Sequence, residues 1–469
     1  MGFSLWQALE TLQYLFVIYV GSINLVYLAL MVLGFFVLRS TRDHLSDAER
    51  FALLKSPLTP SVSVVAPAFN EAATIRESVR AMLSLHHPDH EVVVVNDGSE
   101  DDTLNVLIDE FRLYRSARQP RAAIPCQPIR AVYESRDPIP LVVVDKKNGG
   151  GKADALNAGI NVAEKELVAN VDSDSILESD SLLHVVKPFM EDPDCIATGG
   201  IIRVVNGCRI RNGRVEEVGL PTSLLARFQV LEYLRAFLGG RVAFSYMNSL
   251  LLISGAFGLF RRRMLIASGG FDTKTVGEDM ELVVRLHRNM RKARRPYRVV
   301  FVPDPVCWTE VPEDLASLSN QRNRWQRGTG ETMIRHKRML FNPRYGVVGL
   351  FGLPYFAAFE MFGPGVELLG YALTIAGLPL GFVRPDRALL FFSVSILFGL
   401  VLSTGAVLLE EFTLRKYPSV RHVFGLFTAG VLENFGYRQI MSLWRAKGLV
   451  DSISGTKTGW GSMRRKGFG

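Results

Sequence analysis

The chain has 469 residues, too many for one ordinary domain, and 48% of them are hydrophobic. Its formal net charge is +8, and the basic residues fall into short clusters at 261–263, 291–295 and 335–338. No nucleic-acid-binding motif accompanies these clusters, so we exclude a nucleic-acid partner and expect contact with anionic membrane lipids. The four cysteines are widely spaced, which fits neither a CxxC zinc site nor a disulfide framework.

The first predicted element is a transmembrane helix within residues 1–45. Its apolar core, residues 12–38, carries no charge and exceeds the ~20 residues that cross a bilayer. Arg39 and Arg42 follow it, which by the positive-inside rule places the next domain in the cytoplasm. A cleaved signal peptide fits less well, because no Lys or Arg precedes the apolar run.

Residues 58–315 are predicted to form one α/β domain. Apolar strands at 62–66, 91–96, 141–145, 167–171 and 195–205 alternate with helices at 73–85, 103–115, 152–163 and 181–190. This alternation predicts βαβ units and a largely parallel, Rossmann-like sheet. Polar segments end four of the strands: 69–71, 96–98, 146–148 and 172–174. They should meet in one crevice, because ligands bind at the carboxyl ends of such strands.

Three polar segments are candidates for binding a charged substrate. Asp172 and Asp174 offer two oxygen ligands for a divalent cation, although a turn or helix cap would use the same residues. Asp97 could accept hydrogen bonds from a nucleoside, or simply form a turn. Residues 149–152, Gly-Gly-Gly-Lys, begin a helix, where backbone N–H groups and Lys152 would favour a diphosphate.

Two later segments could act on a second substrate. Glu278 and Asp279 begin a helix after Gly277, and we weigh a capped helix start against a general base. Gln321, Arg324 and Trp325 are spaced i, i+3 and i+4, so they share one face of a helix. That face offers an amide, a guanidinium that could bind phosphate and an aromatic ring that could stack on a sugar. A basic amphipathic helix lying on the membrane, residues 316–345, is the alternative interpretation, and both could hold.

The C-terminal region, 346–445, is predicted to contain further transmembrane helices. The apolar blocks are 347–383, 388–409 and 423–444, and the middle block is the clearest span. Pro354 and Pro364 should break the first block. The last contains Glu433, Asn434 and Arg438, which must face protein or water. Three spans would put the basic tail, 446–469, outside, whereas its charge favours the inside, so the sequence leaves the topology open.

Taken in order, these motifs resemble the processive membrane branch of the family 2 glycosyltransferases, which includes cellulose, hyaluronan, chitin and poly-N-acetylglucosamine synthases. The matching segments lie between residues 60 and 335: 67–71 (PAFNE), 96–99 (NDGS), 149–157 (GGGKADALN), 172–174 (DSD), 254–258 (SGAFG), 277–279 (GED) and 321–325 (QRNRW). The resemblance implies a GT-A fold, integral to the membrane, with a cytoplasmic catalytic domain and an inverting mechanism.

The resemblance also implies roles for individual residues. Asp279 would be the catalytic base and Asp174 the ligand of Mg²⁺ or Mn²⁺. The donor, a nucleotide sugar, would contact Phe69, Glu71, Asp97, Lys152, Asp172, Gln321, Arg324 and Trp325. The acceptor would contact Ser254, Gly255, Glu278 and again Trp325. Within this branch a threonine usually precedes the Glu-Asp pair, and Gly277 stands in its place, which puts the local capping in doubt.

The expected activity is elongation of a β-linked polysaccharide from UDP-N-acetylglucosamine or UDP-glucose, with passage of the polymer through the membrane. The alternative is transfer of a single sugar to a lipid, because ceramide glucosyltransferases share the same motif pattern. A membrane protein with an inactive transferase domain is disfavoured, since every expected catalytic side chain is present. The sequence does not identify the sugar or the linkage.

Overall fold

A computed structural model describes residues 5–40, 46–211, 213–417 and 419–454. Most of the predicted basic tail, residues 455–469, lies outside the described residues. Two helices precede the sheet domain: α1 (Leu5–Ser40) and α2 (Asp47–Lys55). The next elements are β1 (Val62–Ala68), α3 (Ile75–Leu83), β2 (His90–Asn96), α4 (Thr103–Glu110), β3 (Leu113–Arg115), β4 (Ile129–Ser135), β5 (Leu141–Lys146), α5 (Lys152–Val162), β6 (Leu167–Val171), β7 (Ile176–Leu177), α6 (Ser181–Glu191) and β8 (Cys195–Val204).

The second half of the chain is richer in helix. It contains β9 (Arg209–Arg211), β10 (Arg214–Glu217), α7 (Leu224–Leu234), a π-helical segment (Arg235–Arg241), α8 (Val242–Tyr246), β11 (Phe257–Arg261), α9 (Arg262–Ala267), α10 (Glu278–Lys292), β12 (Arg298–Thr309) and α11 (Leu315–Arg335). Beyond two 3₁₀ turns (Lys337–Met339, Pro343–Tyr345) lie α12 (Leu353–Tyr355), α13 (Gly363–Gly377), α14 (Pro385–Thr413), α15 (Val420–Leu432) and α16 (Tyr437–Ser454).

The main sheet has ten strands in the order β3-β4-β5-β2-β1-β6-β11-β8-β12-β7. Strands β5, β2, β1 and β6 are mutually parallel, as the sequence predicts. The sheet as a whole is mixed, so the prediction of a largely parallel sheet holds for these strands and for the parallel pair β8–β12 but not for the remaining pairs. Strand β11 runs antiparallel between β6 and β8, and β3, β4 and β7 also pair antiparallel. The predicted helix 103–115 is also too long, because residues 113–115 form β3.

The reversal of β11 has a consequence for the site. Because β11 starts where β6 ends, the backbone N–H of Asp172 donates to the carbonyl of Ala256 at 3.3 Å. The residues just before β11 therefore lie at the carboxyl end of the parallel strands. The parallel strands themselves are buried on both faces, with Val64, Val93 and Val143 0% exposed, which explains their continuous valine runs.

Two helices are long and apolar enough to cross a membrane: Thr11–Ser40 within α1, and α14. Only 22% and 33% of their most apolar windows are buried in the protein, so much of this apolar surface faces outwards. A buried ion pair joins α14 to the sheet. Arg203 of β8 donates to Glu410 of α14 at 2.7 Å, and both side chains are 2% exposed.

The first C-terminal apolar block is broken, as its prolines predict. π-helical segments cover Val348–Gly352 and Phe356–Met361, and α13 starts afresh at Gly363. The polar residues of the last block face protein: Glu433 is 0% exposed and accepts from Arg235 at 3.1 Å. Helix α16 continues to Ser454, past the predicted boundary at 445, and packs along α11.

Candidate active site

The site is built where four parallel strands end side by side. β1, β2, β5 and β6 end at Ala68, Asn96, Lys146 and Val171. Parallel strands point their carboxyl ends to one edge of the sheet, so the polar segments that follow them converge there. The four polar segments thus lie along one edge of the sheet, as predicted, although only the segment 172–174 lines the cavity described below.

A buried charged cluster supports the floor of this edge. The ammonium of Lys146 is 0% exposed, pairs with Asp97, and lies 2.7 Å from Oδ2 of Asp154. Asp97 also accepts from the backbone N–H of Gly149 at 3.1 Å. The cluster thus joins the end of β2, the end of β5 and the loop before α5. A buried cation held by two carboxylates fixes that loop in place.

A second cluster joins Lys152 to the candidate base. Lys152 begins α5, forms an ion pair with Asp172, and donates to the carbonyl of Gly255 at 2.6 Å. The N–H of Gly255 donates in turn to Oδ2 of Asp279 at 3.1 Å. The backbone N–H of Met280 holds the other carboxylate oxygen of Asp279 at 2.8 Å. Asp279 therefore has a fixed orientation at the start of α10.

Glu278 and Asp279 form a buried acidic pair whose proton affinity is raised. Burial, and then the charge of Asp279, raise the pKa of Glu278 to about 7. Burial also raises the pKa of Asp279, although the Met280 and Gly255 N–H groups and the charges of Lys152 and Arg241 oppose this. For Lys152, burial favours the neutral form, but the charges of Asp172, Glu278 and Asp279 prevail and raise its pKa. A carboxylate with a raised proton affinity is suited to accept a proton.

The backbones of the start of α10 and of α11 approach each other closely. A Cβ atom on Gly277 would lie 2.6 Å from Cα of Gly328, and a Cβ on Gly328 would lie 2.7 Å from Cα of Gly277. Gly277 precedes α10 without a side-chain cap. The glycine in place of the expected threonine therefore reflects the close approach of the two helices rather than a capping role.

Helix α11 carries the residues predicted to bind phosphate and to stack on a sugar ring. Gln321 is 9% exposed, whereas Trp325 is 43% exposed and lies beneath the guanidinium of Arg322, 4.4 Å from its ring centroid. The next residue, Gln326, donates to the carbonyls of Glu360 and Met361, both at 2.9 Å, and accepts from Arg445 at 2.9 Å. The helix is therefore fastened to the C-terminal helices beside its aromatic residue.

One cavity of about 700 Å³ brings most of the predicted residues together. It is lined by Lys152, Asp172, Asp174, Ser254, Gly255, Glu278, Asp279, Gln321, Arg324 and Trp325. Its size matches a pocket for a substantial organic ligand. The same cavity extends to Tyr27 and Met31 of α1, Leu402 of α14 and Met441 of α16. The cavity thus extends from the strand-end carboxylates to the apolar helices.

Three predicted donor residues lie outside the lining of this cavity. Asp97 is engaged with Lys146, the Glu71 carboxylate accepts from the Thr74 hydroxyl at 2.8 Å, and the Phe69 side chain is 46% exposed. Phe69 and Glu71 follow β1, and Asp97 follows β2, on the strand-end edge. Their contact with a donor stays a prediction.

The residues present fit a divalent cation only in part. Asp172 and Asp174 are hard oxygen ligands in the cavity wall, and Mg²⁺ or Mn²⁺ could take its remaining ligands from water and substrate phosphate. Among the described ranges, no group of three or more His, Cys, Asp or Glu side chains forms a site by itself. The donor set therefore fits a cation that is shared with a phosphate-containing substrate.

Several site residues escape prediction from the sequence. Lys146 falls in the predicted strand-end segment 146–148, but nothing in the sequence marks its pairing with Asp97, which follows β2. Asp154, which is 5% exposed, looks like an ordinary first-turn acid of α5. Glu232 and Arg241, which line the cavity from α7 and the π-helical segment, carry no sequence signal, because their segment has no motif.

Comparisons with known proteins agree with this geometry. The family model "Glycosyl transferase family 2" matches residues 63–122, and "Glycosyltransferase like family 2" matches residues 126–328. Poly-beta-1,6-N-acetyl-D-glucosamine synthase from Staphylococcus epidermidis is 28% identical over 61% of this chain and 59% of that protein. The synthase of the same name from Staphylococcus aureus (strain COL) is 27% identical over 61% of this chain and 60% of that protein. The chain thus spans about 60% of the length of these relatives.

Among solved structures, mannosyltransferase PcManGT from Pyrobaculum calidifontis, in complex with GDP-Man and Mn²⁺, is similar with a TM-score of 0.49 and 20% identity. The similarity covers 88% of this chain and 99% of that one. The mixed sheet with its site at the strand ends is a GT-A-like fold. By its two matching domain segments, the chain belongs to the family 2 glycosyltransferases.

Proposed function

We propose that this protein is a membrane-bound inverting glycosyltransferase that elongates a β-linked polysaccharide from a nucleotide-diphospho-sugar. The observation that carries the proposal is the single cavity that holds Asp174, Asp279 and Trp325 and continues between the apolar helices. The named relatives make a β-linked N-acetylglucosamine polymer, which supports N-acetylglucosamine as the first sugar to test.

The donor would bind at the Lys152–Asp172 end of the cavity. As the sugar–phosphate bond breaks, negative charge grows on the nucleotide diphosphate, and Lys152 and Arg324 would stabilise it. Mg²⁺ or Mn²⁺ held by Asp174, with Asp172 beside it, would supply further charge neutralisation when bound. Asp97 would hold the nucleoside at the end of β2, with Phe69 and Glu71 at the neighbouring strand end.

The acceptor would bind on the side of α10 and α11. Trp325 would stack on the terminal sugar, while Gln321, Ser254, Gly255 and Glu278 would contact its hydroxyl groups. Asp279 would take the proton of the attacking hydroxyl, since both its oxygens are already oriented by backbone N–H groups. A positioned base typically contributes about 10²–10⁴-fold to the rate. Attack on the face opposite the diphosphate would invert the anomeric centre, so an α-linked donor would give a β-linked product.

The apolar helices support an integral membrane location. α1 and α14 meet the length and composition needed to cross a bilayer and expose most of that surface. Arg39, at the end of α1, supports a cytoplasmic location for the sheet domain by the positive-inside rule. The cavity wall among these helices contains Glu360, Glu367 and Arg438. Ionisable groups there favour a watery path for a polar polymer over lipid contact.

The same opening supports a second candidate, transfer of one sugar to a lipid. The membrane end of the cavity is also lined by Leu30, Leu402, Ala406 and Leu409, which would accept an acyl chain. In that case Trp325 would contact a lipid head group instead of a sugar chain.

Product size distinguishes the two candidates. Purified protein in lipid nanodiscs would be incubated with a panel of labelled nucleotide sugars, and the products sized. A ladder of long chains supports the polymer proposal, whereas one sugar per lipid would replace it with the second candidate. Asp279→Asn should abolish transfer while donor binding persists, and Asp89→Asn, a change of the same kind on the surface, should not affect it. Full activity of Asp279→Asn would remove Asp279 as the base.

A further inference from the structure

Arg241 is a cation in the cavity wall that the sequence does not single out. It ends the π-helical segment Arg235–Arg241, and its guanidinium lies over the Phe237 ring at 3.8 Å from the centroid. Short π-helical segments recur at functional sites, where they redirect individual side chains. This one packs on α1, since a Cβ atom on Gly239 would lie 3.7 Å from Cα of Met31.

The electrostatic surroundings of Arg241 are unlike those of the other buried arginines. Arg203 and Arg235 each pair with a buried glutamate, at 2.7 Å and 3.1 Å respectively. Among the residues that the structure describes, no hydrogen bond or ion pair is made by the Arg241 side chain. Burial lowers its pKa to about 10, and the charge of Asp279 acts against this. Arg241 nevertheless remains a cation at neutral pH.

The charges around Asp279 show where this cation acts. Lys152 faces Asp279 from the start of α5, together with Asp172 and Glu278. Arg241 lines the same cavity as Asp279 from the π-helical segment, and its positive charge attracts the Asp279 carboxylate. Tyr233, also in the cavity wall, is a neutral phenol, because burial raises its pKa. On α10 itself, Glu278 adds a negative charge, and Arg324 of α11 acts on Glu278. Asp279 thus has one cation on the donor side and a second on the side of the apolar helices.

We propose that Arg241 is a positioning residue for sugar transfer, whose guanidinium stabilises the ionised carboxylate of Asp279 from the membrane-helix side of the cavity. The inference rests on the proposed function, in which Asp279 is the base. The reasoning is that two adjacent carboxylates in a buried site compete for one proton, because both cannot ionise cheaply. Lys152 is already paired with Asp172, so an additional cation is needed to keep Asp279 ready to accept the acceptor's proton.

The position of Arg241 argues against a role in donor binding. The carboxylate that acts on Arg241 is Asp279, whereas Lys152 is paired with the donor-side carboxylate Asp172. We therefore expect substitution of Arg241 to change the turnover number and its pH dependence but not the KM for the donor.

The experiment measures kcat and donor KM from pH 5.5 to 9 for wild type, Arg241→Gln, Arg241→Met and Arg241→Lys. Loss of the cation should raise the pKa of the base, so the acid limb of the kcat profile moves up by about one pH unit. At a pH on that limb, kcat should fall roughly tenfold, since activity there follows the ionised fraction of the base. Arg241→Lys should keep the wild-type limb. Arg291→Gln is the matched control, since Arg291 also lies over an aromatic ring, Tyr297, outside the cavity.

Each outcome decides the proposal. An unshifted acid limb in a neutral variant that still binds the donor would overturn it. A raised donor KM at unchanged kcat would also overturn it and make Arg241 a donor ligand. If Arg241→Gln does not elute as a folded protein, the less polar Arg241→Met provides the same comparison. An active Asp279→Asn variant would instead refute the assignment of the base, so the two failures are distinguishable.

Discussion

The contact between Gly277 and Gly328 allows a prediction about stability. A glycine-to-alanine change there should stabilise the fold if helix propensity dominates and destabilise it if overpacking dominates. Gly328 lies inside α11, where glycine to alanine normally stabilises a helix by roughly 0.5–1 kcal/mol. In this protein the new Cβ would lie 2.7 Å from Cα of Gly277, about 1 Å inside the ordinary carbon–carbon contact distance. Overpacking of this kind costs about 1–3 kcal/mol. We therefore expect Gly328→Ala and Gly277→Ala to be destabilising.

The same steric overlap should also lower the rate of transfer, beyond any loss that the reduced stability causes. Relief of the clash moves the start of α10, with Glu278 and Asp279, away from the helix that carries Arg324 and Trp325. A displacement of about 1 Å between reacting groups can cost about 10²-fold in rate. We expect the activity of Gly277→Ala to fall by between ten- and a hundredfold, and Gly277→Thr, which restores the residue usual in this branch, to be worse.

The assay is nucleotide release from the donor, together with the melting temperature in detergent. Gly21→Ala in α1 is the control, because no atom lies within 4 Å of its added Cβ. It should keep full activity. Wild-type activity in Gly328→Ala, with a melting temperature raised as helix propensity alone predicts, would refute the reasoning from close helix packing.

Three further changes test the charged groups of the site. Lys146→Met should destabilise the fold by about 3–5 kcal/mol, because Asp97 and Asp154 stay buried without their cation; Lys165→Met, which removes an exposed pair with Asp89, should have little effect in the same thermal melts. The folded state holds the Glu278 proton up to a pKa of about 7, so this group stabilises the fold at low pH and the contribution is lost as pH rises through 7. Glu278→Gln should therefore be more stable than wild type at pH 8, by up to about 3 kcal/mol in the free energy of unfolding, and equally stable near pH 4.5. If variant and wild type have the same stability at both pH values, the raised pKa is contradicted. EDTA should stop turnover and Mg²⁺ or Mn²⁺ should restore it, and Asp174→Asn should need more metal for half-maximal activity; turnover that is indifferent to EDTA would eliminate the metal role.

The sequence predicts the parallel part of the sheet well, because its valine-rich strands are buried on both faces and end in polar residues. It also brings Lys152, Asp172, Asp174 and Asp279 to one site, since strand ends and helix starts are local features. The reversed strand β11 is missed, because an apolar strand such as Phe257–Arg261 carries no mark of its direction. For a related reason, Arg241 is missed, and Lys146 is predicted only as part of the strand-end segment 146–148. Their importance depends on partners more than 35 residues away in sequence, Asp97 and Asp279.

The ion pair between Arg203 and Glu410 bears on how such an enzyme can change over evolutionary time. Recombination that exchanged the sheet alone would leave Arg203 of β8 buried without its partner Glu410, which lies on α14. An unpaired buried charge is strongly destabilising. Any successful swap has to inherit both halves of the pair or replace both with apolar residues. The pair therefore makes the sheet and α14 one evolutionary unit, although they are separate elements of the fold.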